Sequence, residues 1–228
     1  DQEEAVRRIN EWRESWDNGT GKQTMTLAGF AGTGKSTLVS MFASDWSGCE
    51  IVALCGKAAN VLRNKGVGEA QTIHRLIYDP LKDEHGRTKF VLKCVLPGAE
   101  IIIVDEASMV SRQLHEDLLR FDLPILFVGD HGQLEPIGDN PNLMADPEIR
   151  LEKIHRQAEN NPILRLASAL REGREVPKRW ASTDGALTLD TRDAFWRAVE
   201  NLEDYQYICG YNKTRHDVNK IVRTKRGF

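Results

Sequence analysis

The chain has no apolar run approaching the ~20 residues of a membrane span, no internal repeat and no low-complexity segment. No signal peptide opens it, so a cytoplasmic setting is the expectation. Its four cysteines, Cys49, Cys55, Cys94 and Cys209, form no CxxC pair, and no histidine stands at zinc-ligand spacing. Reduced, partly buried thiols are expected rather than a disulfide scaffold or a zinc module. Positive charge is also lacking overall: the net charge of −3 excludes a basic protein that coats nucleic acid. The Trp and Met residues show no stacking stripe and are assigned to the core.

The composition that remains, 40% hydrophobic and 29% charged, is that of a globular protein able to bury a real core. Charge is unevenly placed. Residues 1–17 carry six acids and three bases, while residues 211–228 carry six bases against Asp217. That basic end is either a phosphate-facing surface or a solvated helix face.

Ala5, Val6, Ile9, Trp12 and Trp16 recur at helical spacing, so a helix opens the chain and ends by Gly19 and Gly21. Residues 24–28 predict a buried strand, followed by a glycine-rich turn and a helix from about Lys35. Residues 51–54 predict a second strand, with helices near Lys57 and Thr72. Ile101-Ile102-Ile103-Val104 is a continuous β-branched run, expected for a central parallel strand covered on both faces. A helix marked by Leu114, Leu118 and Leu119 follows, then a strand over 124–128. Alternating strands and helices predict an α/β domain with a parallel sheet.

Residues 79–95 break the rhythm. Asp79-Pro80 reads as a turn start, Gly86 offers positive φ, and Lys89 to Val95 alternates charged with apolar residues. An inserted hairpin is expected, against the plainer alternative of a connecting loop. The first domain is expected to cover 1–140. Residues 141–228 begin a second α/β unit, with helices at 162–172 and 192–202, a strand at 205–209 and a basic helix.

Gly29-Phe30-Ala31-Gly32-Thr33-Gly34-Lys35-Ser36 fits G-x-x-x-x-G-K-[ST] in full. Such glycines let backbone N–H groups turn inward around a β-phosphate, and a helix N-terminus adds its dipole. Lys35 would reach the β- and γ-phosphates and Ser36 would coordinate Mg²⁺. Gly32, Thr33, Gly34 and Thr37 complete the cradle. Asp105, ending the β-branched run, would hold Mg²⁺ through water, and Glu106 would polarise the attacking water. The two motifs together predict hydrolysis of ATP on a RecA-like P-loop fold.

Further blocks resemble the RecD-like and Dda-like branch of superfamily 1 helicases. DQEEAV is similar to the adenine-reading segment, which implies that Gln2 bonds the base. GFAGTGKST resembles the first motif. ALCGKAANVL resembles motif Ia, with Lys57 as a DNA contact and with Leu54-Cys55 in place of the usual Pro-Thr. QTIHRLIYDP resembles the next DNA-contacting block, which offers Thr72 and His74. VDEASMV is the branch's form of Walker B. GDHGQLEPIG is similar to motif III, making Gln133 the γ-phosphate sensor, with Glu135 where proline is frequent. LEKIHRQAENNPILRLASALREG resembles motif IV, making Arg156 an arginine finger. GYNKTRHDVN resembles the entry to the second motor domain's DNA face, through Asn212, Thr214 and Arg215. Plainer alternatives stand beside these: Gln133 as a loop residue, His74 as a packing histidine, and Arg156 paired with Glu152 or Glu159.

Motifs V and VI of the branch are absent, and the chain starts inside the first block without Met, as a fragment would. The resemblance implies an ATP- and Mg²⁺-dependent DNA helicase moving 5′ to 3′, with a role in repair or recombination. It implies single-stranded DNA and a duplex fork as partners, and room for a nuclease, repair or replication subunit. The inserted hairpin corresponds in the family to a strand-splitting pin. Two rivals are a P-loop kinase, which would not carry GDHGQL or HRQ, and a DNA-binding or assembly module without unwinding activity.

Overall fold

The computed structural model describes residues 1–133, 138–139, 141–153, 162–175, 180–181, 187–188, 208–225 and 227. The chain divides into two units, Asp1–Asn160 and Asn161–Phe228.

In the first unit the helix α1 (Gln2–Asp17) precedes β1 (Thr24–Gly29), α2 (Lys35–Asp45), β2 (Cys49–Ala53) and α3 (Gly56–Asn64). Then come β3 (Gln71–Thr72), α4 (Ile73–Ile77) and the pair β4 (Tyr78–Lys82) and β5 (Thr88–Leu92). The unit continues with β6 (Ile101–Asp105), α5 (Arg112–Leu119), β7 (Ile125–Gly129) and β8 (Ile149–Leu151). Six strands form one sheet in the order β3-β2-β6-β7-β1-β8, with every pairing parallel.

The β-branched run of β6 lies inside this sheet, between β2 and β7, and Ile101 to Val104 are all 0% exposed. Alternation divides them between two cores. Ile101 and Ile103 join Ile9 and Trp12 of α1, Leu38 and Phe42 of α2, and Leu62 of α3. Ile102 and Val104 join Ile73 and Ile77 of α4 and Leu114 and Leu118 of α5. Period-two side chains on a sheet covered twice thus account for an uninterrupted apolar strand. Each such side chain contributes roughly 1.5–3 kcal/mol of burial free energy.

The expected end of the first domain at residue 140 is corrected. Ile149 pairs with Leu27, so β8 is the last strand of the first sheet and the division falls at 160. The Glu148 carboxylate accepts from Thr26 N at 3.0 Å and from the Thr26 hydroxyl. Glu148 N in turn donates to Thr26 Oγ1 at 3.0 Å. A single acidic residue before three strand residues is too short a pattern to be seen without the sheet edge it completes.

The inserted hairpin is present as a separate antiparallel pair, with Tyr78 opposite Leu92 and Lys82 opposite Thr88. Its turn lies at Asp83 to Arg87, around the expected glycine, whereas the turn start expected at Asp79-Pro80 is part of β4. Asp83 Oδ1 accepts from His85 N at 2.9 Å and Arg87 N at 2.8 Å, and Gly86 takes φ 73°. Pro80 sits within β4, which a two-stranded ribbon tolerates because its outer edges need no donor.

The second unit contains α6 (Pro162–Arg171), an antiparallel pair β9 (Trp180–Ala181) and β10 (Leu187–Thr188), and α7 (Asn212–Lys225). The helices expected at 162–172 and in the basic tail are there. The helix expected at 192–202 and most of the strand at 205–209 lie outside the described residues.

Two expectations about side chains change. Cys55 and Cys94 are exposed rather than partly buried, and Met109 is exposed rather than core. Cys49 is half-buried, and burial pushes its thiol up to about 12.

Candidate nucleotide site

The strand β1 delivers the chain to the upper edge of the sheet at Gly29, where no side chain fits. A Cβ there would stand 2.5 Å from Thr33 Oγ1 and 3.0 Å from Leu151 Cβ. Gly32 and Gly34 take φ 85° and 92°, a region closed to most residues, and the loop closes over a buried Thr33 that donates to Phe30 O at 2.8 Å. The helix α2 then starts at Lys35 with no side-chain cap. Its first N–H groups face an open recess, where a phosphate would satisfy them.

That recess is a cavity of about 450 Å³ lined by the loop, Lys35, Ser36 and Thr37, and by Asp105, Glu106 and Gln133. Lys35 Nζ donates to Gly29 O at 2.5 Å and Phe30 O at 3.1 Å, so the ammonium is held at the loop's mouth. Asp105 ends β6, level with Ala53 of β2 in the register. Burial, and then the neighbouring Glu106 charge, hold its carboxyl above the ordinary aspartate range, while Lys35 and Lys65 oppose the shift. Glu106 has φ 56°, a left-handed conformation that a non-glycine residue holds only when its surroundings impose it. Ser108, two residues on, donates to Gln133 Oε1 at 3.2 Å, tying the VDEASM and GDHGQ segments together.

The donor set fits a Mg²⁺ nucleotide. One hydroxyl and one partly buried carboxylate suit an ion that keeps several waters and takes its remaining oxygens from phosphates. Gln2 Nε2 donates to Thr33 O at 3.0 Å, and a smaller recess of about 250 Å³ beside the loop is lined by Asp1, Gln2, Glu3, Thr33, Leu151 and Lys153.

The other expected residues are distributed as follows. Lys57 is exposed in the first turn of α3. Thr72 is the N-cap of α4, its hydroxyl accepting from Arg75 N at 3.2 Å, so it has a structural task as well. His74 is exposed, its ring 5.5 Å from Tyr78 and 6.5 Å from Phe90. Thr72 and Asp105 both pair with Ala53, so this block and the nucleotide site share one edge of the sheet. Asn212, Thr214 and Arg215 are exposed at the start of α7 in the second unit. Arg156 and Glu135 lie outside the described residues.

Sequence reasoning missed two residues of the cavity. Lys65 follows α3 and reaches Ser36 Oγ at 3.3 Å, with no motif to announce it. Asp130 is 3% exposed and accepts from Gly132 N at 2.8 Å; its place in GDHGQ was the available signal.

A phosphate loop, a strand-end acid and a glutamine converging above a parallel sheet define a P-loop nucleoside triphosphatase of RecA-like fold. The sequence profile of the family described as AAA domain matches residues 2–191, and the chain belongs to that family, with helicases of the RecD2 and Pif1 kinds among its relatives. The ATP-dependent RecD2 DNA helicase of Deinococcus radiodurans is 36% identical over 175 residues, 71% of this chain and 23% of that protein. The ATP-dependent DNA helicase Pif1 of Campylobacter jejuni is 27% identical over 87% of this chain and 51% of that protein. The chain therefore spans about half or less of these relatives. Bacteroides Pif1, solved bound to single-stranded DNA, has a similar fold, with TM-score 0.53 at 17% identity, over 94% of this chain and 55% of that one.

Proposed function

We propose that this chain is the motor part of an ATP-dependent DNA helicase that moves 5′ to 3′ on single-stranded DNA and opens duplex at a fork. Residues 161–228 would be the beginning of its second motor domain. The observation that carries the reading is the convergence of Lys35, Ser36, Asp105, Glu106 and Gln133 on one cavity. Ser36 and Asp105 would hold Mg²⁺, which supplies positive charge on the β- and γ-phosphates. Lys35 neutralises charge on the same phosphates. Glu106 takes the proton of the attacking water, and Gln133 bonds the γ-phosphate. Gln2 reads the base. Arg156 adds a cation to the transition state.

Lys57, Thr72, His74, Asn212, Thr214 and Arg215 grip one DNA strand, mainly through its backbone, so binding weakens with salt. The hairpin β4–β5 stands at the fork as the wedge. The setting would be cytoplasmic, in repair or recombination, with room for a nuclease, repair or replication subunit beside the motor. ATP turnover is measured with and without single-stranded DNA. Stimulation by DNA is expected; DNA binding without turnover would instead make the chain a binding module, and turnover indifferent to DNA would sink the helicase reading.

A further inference from the structure

Asp117 on α5 is 5% exposed, and a carboxylate so far from water needs partners. Its Oδ2 accepts from the Tyr78 hydroxyl at 2.6 Å and from Gln113 Nε2 at 3.0 Å, while Arg120 Nη1 lies 3.7 Å from Oδ1. Burial opposes its ionisation, but the bonds from Tyr78 and Gln113 and the Arg120 charge together hold it below the ordinary aspartate range. Tyr78 is both the residue that ends α4 and the first residue of the hairpin. Helix α5 is the first helix after Asp105 and Glu106, separated from them by one short 3-10 turn, Ala107–Met109.

Just past the other hairpin strand, Lys93 N donates to Ile77 O at 2.8 Å and Lys93 Nζ to Arg75 O at 3.3 Å. Both of those contacts return to α4, so they brace the hairpin to its own root. The Tyr78–Asp117 bond is different, because it runs from the hairpin to the helix that follows the nucleotide-site acids. Beyond this root the hairpin is solvent-exposed: Leu81 is 54% and Phe90 63% exposed. A two-stranded ribbon has little rigidity of its own. Its angle is set where it is attached.

We propose that Tyr78 and Asp117 are positioning residues that lock the hairpin's base to α5, so that motion of the nucleotide-site elements is transmitted to the hairpin as a rigid lever. The inference rests on the reading of the hairpin as a strand-separating wedge. A hydroxyl–carboxylate bond suits the task because it is directional as well as strong. Apolar contacts alone, such as those of Leu92 and Leu96 with the same core, would let the ribbon rock.

The test uses Tyr78→Phe in the intact protein, with two readouts. DNA-stimulated ATP turnover should stay within about twofold, while base pairs opened per ATP should fall about tenfold or more, as loss of one hydrogen bond to a charged group would give. Nitroxides on Glu84→Cys and Glu116→Cys, with Cys55 and Cys94 replaced by serine, should give a broader distance distribution in Tyr78→Phe. Asp117→Asn keeps an oxygen acceptor for the hydroxyl and should retain most of the coupling, whereas Asp117→Leu should not. An unchanged distribution with unchanged unwinding would overturn the inference. So would a parallel fall in turnover, unwinding and melting temperature, which marks a merely structural bond. A companion variant with residues 81–91 cut to a tight turn separates the two claims. If it unwinds normally, the wedge reading itself fails; if it loses unwinding while Tyr78→Phe does not, only the anchor fails.

Discussion

Asp105 ends a strand whose four preceding residues have no exposed surface, whereas Phe90 stands in a strand with five exposed or half-exposed residues and a single neighbour. Both segments are β-structure rich in apolar residues, yet they are held by different forces. The strand β6 is fixed by packing on two faces and by hydrogen bonds to β2 and β7. The hairpin is fixed by its own ladder, an Asp83 turn and a polar anchor at its root. The difference teaches that a carboxylate at a strand end is positioned by a core covered on both faces, while a two-stranded ribbon is positioned at its root and left in solvent.

That contrast can be broken by experiment. The largest effect belongs to Lys35→Ala, which removes the loop's cation and should reduce ATP turnover about a thousandfold with the fold intact. Normal hydrolysis by this variant would remove the phosphate-site assignment. Glu106→Gln should bind ATP nearly as well as the parent and lose about a hundredfold or more in turnover, because an amide cannot accept the proton. Equal losses in binding and turnover would make Glu106 a structural residue.

Next in size is a paired measurement of stability by denaturant. Ile103→Ala should cost about 2–4 kcal/mol, since it leaves a cavity inside a doubly covered sheet. Phe90→Ser should change stability by no more than about 0.5 kcal/mol, as an exposed site does. Similar values for the two would erase the proposed distinction between core-held and anchor-held strands.

The smallest effect sharpens the account of Asp105. A carboxyl whose pKa is raised on folding binds its proton more tightly in the native chain. Its ionisation therefore costs stability at pH values above the native pKa, and the cost disappears as pH falls below the unfolded value. Asp105→Asn should accordingly raise the melting temperature of the nucleotide-free protein at neutral pH while impairing hydrolysis. The gain should shrink as acid protonates the parent's Asp105. A variant less stable than the parent at pH 7 would contradict the burial argument.

The residues that meet in the candidate nucleotide cavity were readable along the chain because their pattern is local. Glycines at fixed offsets, a lysine at the helix start and an acid at a strand end each follow from one segment's backbone geometry. The β-branched run at 101–104 likewise announced its own burial on both faces, through the lack of any polar position. The hairpin was readable, with Gly86 in its turn, but Asp79-Pro80 is strand and not a turn start, because a proline's fixed φ suits both a turn and the strand of a two-stranded ribbon.

What the sequence determined by itself, then, is whatever depends on periodicity and on neighbours within a few residues: the phosphate loop, the covered strands and the α/β class. Tertiary structure alone decided the rest. Lys65 reaches Ser36 only because α3 ends beside α2, and Glu148 closes the sheet only because β8 lies against β1. Tyr78 meets Asp117 across 39 positions. Side chains so far apart along the chain carry no periodic signal of their meeting. Their partnership follows from the crossing of helices and strands, which is set by the packing of the whole sheet.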